Sequence, residues 1–189
     1  MIKGVRLVNV KPQAWRNGGG NTRELLTWPP DAGAADWLLR VSVAQIDVDG
    51  PFSAWPGMDR WFAVISGNGV EMALPAGSAA VTSHSAPLCF DGVNAPDCRL
   101  LDGSTQDLNL MVRRDKGRGA MRRAQGGSLP PADAVWRGLY TAEDVTLERH
   151  GELMTVAADS LVWQPDQAQP SWQLLDANRR AWWLTWSPA

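Results

Sequence analysis

An all-β fold in two lobes is what this sequence predicts, and three observations carry the prediction. Its apolar segments are short and rich in Val, Trp, Leu and Thr, residues that fit a pleated surface. Gly and Pro interrupt them about every 8 to 12 residues, the rhythm of strands joined by turns. Between the halves lies Arg113 to Asp133, which holds Gly and Pro but almost no apolar residues and reads as a linker or long loop.

Taken in order, the chain opens on "MIKGVRLVNVK", too broken by charge for a signal peptide. The stretch "AWRNGGGNTREL" (Ala14 to Leu25) follows. A glycine triplet loses much entropy on ordering, so something must offset it. Either a loop needs positive φ angles, or the backbone must approach a ligand closely. "WLLRVSVAQI" (Trp37 to Ile46) reads as a strand. "WFAVIS" and "VEMAL", joined by Gly67-Asn68-Gly69, read as a hairpin. "DLNLMV" (Asp107 to Val112) alternates as a strand. "VTLER" and "ELMTV" around His150-Gly151 read as a second hairpin, and "LVWQP" and "AWWLTW" as late strands. A helix competes only over Thr141 to Arg149, where Thr141 and Asp144 could form a capping box. The β-branched Val145 and Thr146 weigh against it.

These elements place a first lobe at residues 30–112, the linker at 113–133 and a second lobe at 134–189. The last piece, about 55 residues, is marginal for a barrel of eight strands. It is therefore expected to borrow the N-terminal strands of residues 1–29.

Bulk properties narrow the class. The 189 residues are 44% hydrophobic and 20% charged, as in a folded protein. The net charge of −2 provides no general pull toward nucleic acid or membrane. No apolar run approaches the length of about 18 residues that a membrane span needs. The expected location is the cytoplasm, where Cys89 and Cys98 read as free, buried thiols. Arg113 to Arg123 carries six basic residues against one acid. With no aromatic interleaved, it reads as a mobile, solvated loop rather than a nucleic-acid patch. Trp is over-represented, with 11 residues, and Trp182, Trp183 and Trp186 read as core filling.

Strand periodicity locates the chemistry. Leu39, Val41 and Val43 share one face, and Arg40 and Ser42 the other. Leu108, Leu110 and Val112 likewise oppose Asp107 and Asn109. Asp, Asn and Ser are poor strand formers, so their use in mid-strand points to a barrel lumen that holds a polar molecule. The densest motif is "DVDGPFSAWPGMDR" (Asp47 to Arg60), where an Arg at a barrel mouth could clamp a carboxylate in a fork. The two histidines, His84 and His150, are far apart, and no Cys pair completes a metal site. "GGGNTR" lacks the ending of a phosphate-binding loop, and no catalytic serine motif is present. Neither a metal nor any other cofactor is expected.

The ordered series "WRNGGGNTREL", "LRVSVAQIDVDGPFSAWPGMDR", "SGNGVEM", "FDG" and "DLNLMVRR" resembles the HutD/Ves family from about Trp15 to Arg114. The Trp-rich C-terminal strands fit it more loosely. The resemblance implies a bicupin, two cupin-like β-barrels in one chain. It also implies association with histidine utilisation or stress response, and binding of a small polar molecule. The family's pocket motifs map onto Asn17, Thr22, Arg23, Arg40, Ser42, Phe52, Ser53, Asp59, Arg60, Asp107 and Asn109. One position departs: family members carry Trp before the strand arginine, where this chain has Leu39, and Trp37 is the nearest substitute. The reading favoured is a metal-independent binder of a small anionic or polar metabolite, a carboxylate of the urocanate or formylglutamate type. The alternatives are a metal-free isomerase or hydrolase using Asp59 or Asp107 as base, and a partner-binding protein. A homodimer stays open.

Overall fold

The computed structural model describes residues 2–33, 36–130, 134–164, 172–176 and 180–189. The chain is all-β and divides into two units, Lys11–Lys116 and Met1–Val10 with Gly117–Ala189. Strand β1 (Lys3–Arg6) belongs to the latter.

The unit Lys11–Lys116 contains β2 (Gln13–Ala14), β3 (Gly20–Trp28), β4 (Leu39–Ile46), β5 (Gly50–Pro51) and β6 (Met58–Ser66). It continues with β7 (Val70–Leu74), β8 (Gly77–Val81), β9 (Leu88–Asp91), β10 (Asp97–Leu100) and β11 (Thr105–Arg113). A six-stranded antiparallel sheet runs β2-β3-β4-β11-β6-β9, and a four-stranded sheet runs β5-β10-β7-β8. The core draws on both. Ile46, Phe62, Val64 and Phe90 come from the larger sheet, and Val70, Met72, Val81 and Cys98 from the smaller. Each such side chain contributes about 1.5–3 kcal/mol on burial.

The other unit adds β12 (Gly117–Arg123), β13 (Trp136–Thr141), β14 (Val145–Arg149), β15 (Glu152–Val156), β16 (Ser160–Gln164), β17 (Gln173–Leu174) and β18 (Ala181–Pro188). Its sheets run β1-β16-β13-β18-β12 and β15-β14-β17. Leu139, Val162 and Trp183 from the first pack with Val145, Leu147, Val156 and Leu174 from the second. Trp182 and Trp186 are buried as well, so all three late tryptophans fill core as expected.

Four expectations are corrected. First, the basic stretch is not a free loop, because Gly117–Arg123 is strand β12, in register with Trp182–Pro188 of β18. Its apolar content is low because β18 supplies the large groups. A Cβ at Gly117 would stand 2.6 Å from the Trp186 indole nitrogen, and the Arg123 guanidinium lies over the Trp182 ring. Residues 131–133, the end of the expected linker, lie outside the described residues.

Second, the N-terminal stretch is divided. β1 pairs with β16, whereas β2 and β3 join β4, because Leu25, Leu26 and the alternating pattern after Gly20 extend that sheet. Third, Gly67-Asn68-Gly69 does not close a hairpin. β6 and β7 lie in different sheets, and the turn carries the chain across. Gly67 and Gly69 have φ of 86° and 103°, and a Cβ at Gly67 would meet the Ser104 carbonyl at 2.5 Å. Fourth, Cys89 is exposed on β9 whereas Cys98 is buried, and both are free.

The hairpin around His150-Gly151 is present: β14 pairs with β15, and both turn residues have positive φ. It also settles the competing helix. Thr141 Oγ1 donates to the Glu143 carbonyl at 2.5 Å, closing a turn before β14 instead of capping a helix. Pro165, the last residue of "LVWQP", lies outside the described residues. Among the described residues no helix is long and apolar enough to cross a membrane.

Candidate functional site

The site lies within the unit Lys11–Lys116 and is built by strand register. Because β3, β4, β11 and β6 are neighbours, side chains of one parity form rows across one face. One row runs Arg40–Met111–Arg60, the next Ser42–Asn109–Phe62, and the third Ala44–Asp107–Val64. The opposite face takes Leu39, Val41, Val43, Leu108, Leu110 and Val112, all 0–2% exposed. Two adjacent strands thus carry greasy residues on one side and short polar ones on the other, as their alternation predicts.

The polar face borders a cavity of about 550 Å³. The turn after β2 supplies Trp15, Arg16 and Asn17, and the loop after β5 supplies Phe52, Ser53 and Trp55. The glycine triplet has a specific part in this. Gly18 has φ 72°, and the Gly19 amide donates to Asn17 Oδ1 at 3.0 Å. A Cβ at Gly20 would stand 2.0 Å from the Gln45 carbonyl oxygen, so only glycine allows β3 to lie this close to β4. The turn thereby seats Trp15, whose indole N–H donates to Thr22 Oγ1 at 2.8 Å.

Two arginines, Arg40 half-buried and Arg60 buried, set the electrostatics. Arg40 donates from Nε to Glu24 Oε2 at 2.6 Å and lies over the Trp55 ring. Arg60 is 6% exposed and, among the described residues, has no carboxylate this close. Its Nη1 donates to the Ser53 carbonyl at 3.4 Å and its Nη2 to Asn109 Oδ1 at 3.3 Å, both long bonds, and its Nε has no partner. Phe52 and Phe90 face the guanidinium at 5.0 and 5.2 Å. Burial lowers Arg60 to about 10, with Arg40 adding to the effect and Asp107 opposing it, so it keeps its charge at neutral pH.

Asp107 stands behind this group, fully buried. Its Oδ2 accepts a hydrogen bond from Asn109 Nδ2, and its Oδ1 has no partner among the described residues. Burial pushes its carboxyl up to about 7, against the pull of Arg60 and the Asn109 hydrogen bond.

Of the residues taken from the sequence, Asn17, Thr22, Arg40, Ser42, Phe52, Ser53, Arg60 and Asn109 line the cavity. Three do not. Arg23 pairs in register with Val43, on the strand face opposite Thr22. Asp59 points away from Arg60, because adjacent strand residues oppose each other, and binds Arg114, which also binds Asp91. Asp107 reaches the cavity only through Asn109. Leu39 lies on the greasy face and is no part of the lining. Trp37 instead packs against Trp55, with ring centroids 6.4 Å apart, and so supports the wall indirectly. Sequence reasoning missed Trp15, Trp55, Met111 and Glu24. The two tryptophans stand inside the motifs already singled out. Met111 extends the parity of Asp107 and Asn109. Glu24 is hidden by the register shift in β3 between Glu24 and Leu26.

The lining contains no His, Cys, Asp or Glu. Among the described residues no group of three or more such side chains could hold a metal ion. Arg16, Arg40 and Arg60 give the lining positive charge.

The comparisons agree with the fold. The HutD family model matches residues 8–182. Protein Ves of Cronobacter sakazakii is 31% identical over 133 residues, which cover 65% of this chain and 72% of that protein. The structure of HutD from Pseudomonas fluorescens, in a formate condition, superposes over all of both chains with a TM-score of 0.85 at 22% identity. A cupin 2 conserved barrel domain protein from Leptotrichia buccalis covers 98% of this chain and 96% of its own, with a TM-score of 0.59 at 9% identity. With an all-β, cupin-like fold and a family match over most of its length, the chain belongs to the HutD family.

Proposed function

We propose that the protein is a metal-independent bicupin that binds a small carboxylate and through it senses or modulates histidine utilisation. The bicupin reading is supported by the composition of each unit: a larger and a smaller antiparallel sheet enclosing a core drawn from both. The binding reading rests on one observation. Arg60 is buried at the cavity, charged, and holds only long hydrogen bonds to neutral oxygens. A carboxylate would give its guanidinium a fork of charge-assisted bonds, worth about 1.5–3 kcal/mol each. Arg16 and Arg40 add positive charge at the lining, while Asn17, Ser42 and Asn109 offer neutral hydrogen bonds to orient the ligand.

An isomerase or hydrolase would need a base at the cavity. Asp107 has the raised carboxyl that such a role calls for, but it does not line the cavity, and Asn109 covers it. Binding without chemistry is therefore the better-supported reading. It is tested by calorimetric titration with urocanate, N-formylglutamate and the amide analogue of each. The acids are expected to bind at one site per chain and the amides far more weakly. Equal affinity for acid and amide, or no binding of either acid, would overturn it.

A further inference from the structure

We propose that Asp107 is a positioning residue of the anion site: through the Asn109 amide it fixes the face offered to Arg60, and it takes up a proton when a carboxylate enters. The inference rests on the binding reading above and adds a proton to it.

The geometry is a three-membered chain. Arg60 Nη2 donates to Asn109 Oδ1, and Asn109 Nδ2 donates to Asp107 Oδ2. A primary amide has an acceptor end and a donor end, and Asp107 takes the donor end. The acceptor end is thereby turned to Arg60. Without a carboxyl at 107, the amide could present either end to the cavity.

The free oxygen gives the chain its second property. Asp107 Oδ1 is buried and has no partner, so it can carry a proton without breaking the bond that Oδ2 accepts. The balance is simple: a proton from solvent binds to Oδ1, no covalent bond to carbon changes, and one negative charge leaves the wall of the cavity. The groups around it are few. Arg60 faces it from β6 and Cys98 from β10. Beyond Arg60 stand Arg40 on β4 and its partner Glu24 on β3. Burial holds the Cys98 thiol up at about 12, so it does not compete in the neutral range. An entering carboxylate engages Arg60 and so weakens the one cation that favours the charged form of Asp107. It also adds a like charge nearby. Both effects drive Asp107 toward its neutral form.

The test is calorimetric titration of the full chain with N-formylglutamate and, in parallel, formate, from pH 6 to pH 8.5. Both probes stay ionised over this range. Each titration is repeated in two buffers of different ionisation enthalpy, which counts protons taken up. Wild type is expected to gain up to about half a proton per ligand near pH 7.5. Its affinity should fall with rising pH, by about tenfold if the ligand raises Asp107 by one further pH unit. Asp107→Asn keeps an acceptor for Asn109 but cannot titrate, so its affinity should be flat with pH. Binding without proton uptake, or a pH slope that survives Asp107→Asn, overturns the inference and leaves the binding reading standing. If neither probe binds at any pH, the inference falls, and the binding reading falls with it when urocanate also fails to bind. Should the variant fail to fold, the two-buffer measurement on wild type decides alone.

Discussion

Replacing Asp107 with Asn tests the electrostatics of the fold without any ligand. The wild-type carboxyl is fully buried and raised from 3.8 to about 7 by burial, with Arg60 and Asn109 pulling the other way. The sign follows from linkage. Between these two values the folded chain holds a proton that the unfolded chain has released, so stability falls as pH rises through this window. The loss is complete above about pH 7 and absent below about pH 4. At 1.36 kcal/mol per pH unit the difference corresponds to about 4 kcal/mol at most. Asp107→Asn is nearly isosteric, keeps an acceptor for Asn109 and cannot ionise. At pH 5, about one pH unit above the unfolded value, the variant should already be the more stable by about 2 kcal/mol, and the two should converge to within about 1 kcal/mol, the range of a neutral hydrogen bond, only below about pH 4. At pH 8 the variant should be the more stable by up to about 4 kcal/mol. Urea unfolding of both proteins at pH 5, 6, 7 and 8 is the assay, read by tryptophan fluorescence. The difference between the two curves cancels every group they share. A difference that does not change with pH, or a variant less stable at pH 8, would refute the reasoning, because Asp107 would then be held as a charged partner of Arg60.

Three further outcomes are expected. Gly20→Ala drives a Cβ to 2.0 Å from the Gln45 carbonyl oxygen, and should destabilise the chain by more than about 3 kcal/mol in the same assay, as backbone strain of this kind does; a near-neutral change would mean that β3 and β4 separate at no cost. Glu24→Gln frees Arg40 from its 2.6 Å partner, and should raise affinity for N-formylglutamate by up to about fivefold in calorimetric titration, the scale of a partly exposed ion pair; unchanged affinity would place Arg40 outside the ligand's reach. Arg60→Lys keeps the charge but loses the planar fork, and should weaken the same titration by about 1.5–3 kcal/mol. Because Arg60 packs against Phe52 and Phe90, a stability loss of about 1–2 kcal/mol should accompany it.

The sequence was legible wherever periodicity alone decides. Leu39–Ile46, Thr105–Arg113 and Val145–Val156 read correctly because each strand carries its own alternation or a turn of two fixed residues. It was not legible where a neighbour decides. β12 looks like a basic loop because its apolar surface comes from tryptophans some 60 residues later on β18. Gly67-Asn68-Gly69 has hairpin chemistry, yet β11 and β9 already occupy both edges of β6, so β7 must pair in another sheet. Asp59 and Arg60 are neighbours in sequence and read as a pair. On a strand, neighbours point apart, and each found a different partner.

The same periodicity explains why a chain with a net charge of −2 can hold a cationic cavity. β4, β6 and β11 bury both of their faces. Residues on the greasy face have no polar task away from the strand ends, so charge within these strands stands on the other parity, and Asp59, on the greasy parity, sits near the start of β6 where it binds Arg114. Arg40, Arg60, Asp107 and Asn109 all obey this, and they converge because β11 lies between β4 and β6. One carboxylate, Asp107, is set back by two rows from Arg60, where it shares Asn109 with it but does not pair with it directly. A direct ion pair would have satisfied the arginine and left the cavity neutral. With an amide between them, Arg60 retains its charge and part of its hydrogen-bonding capacity, and the burial that raises Asp107 also strengthens the field that an entering anion meets.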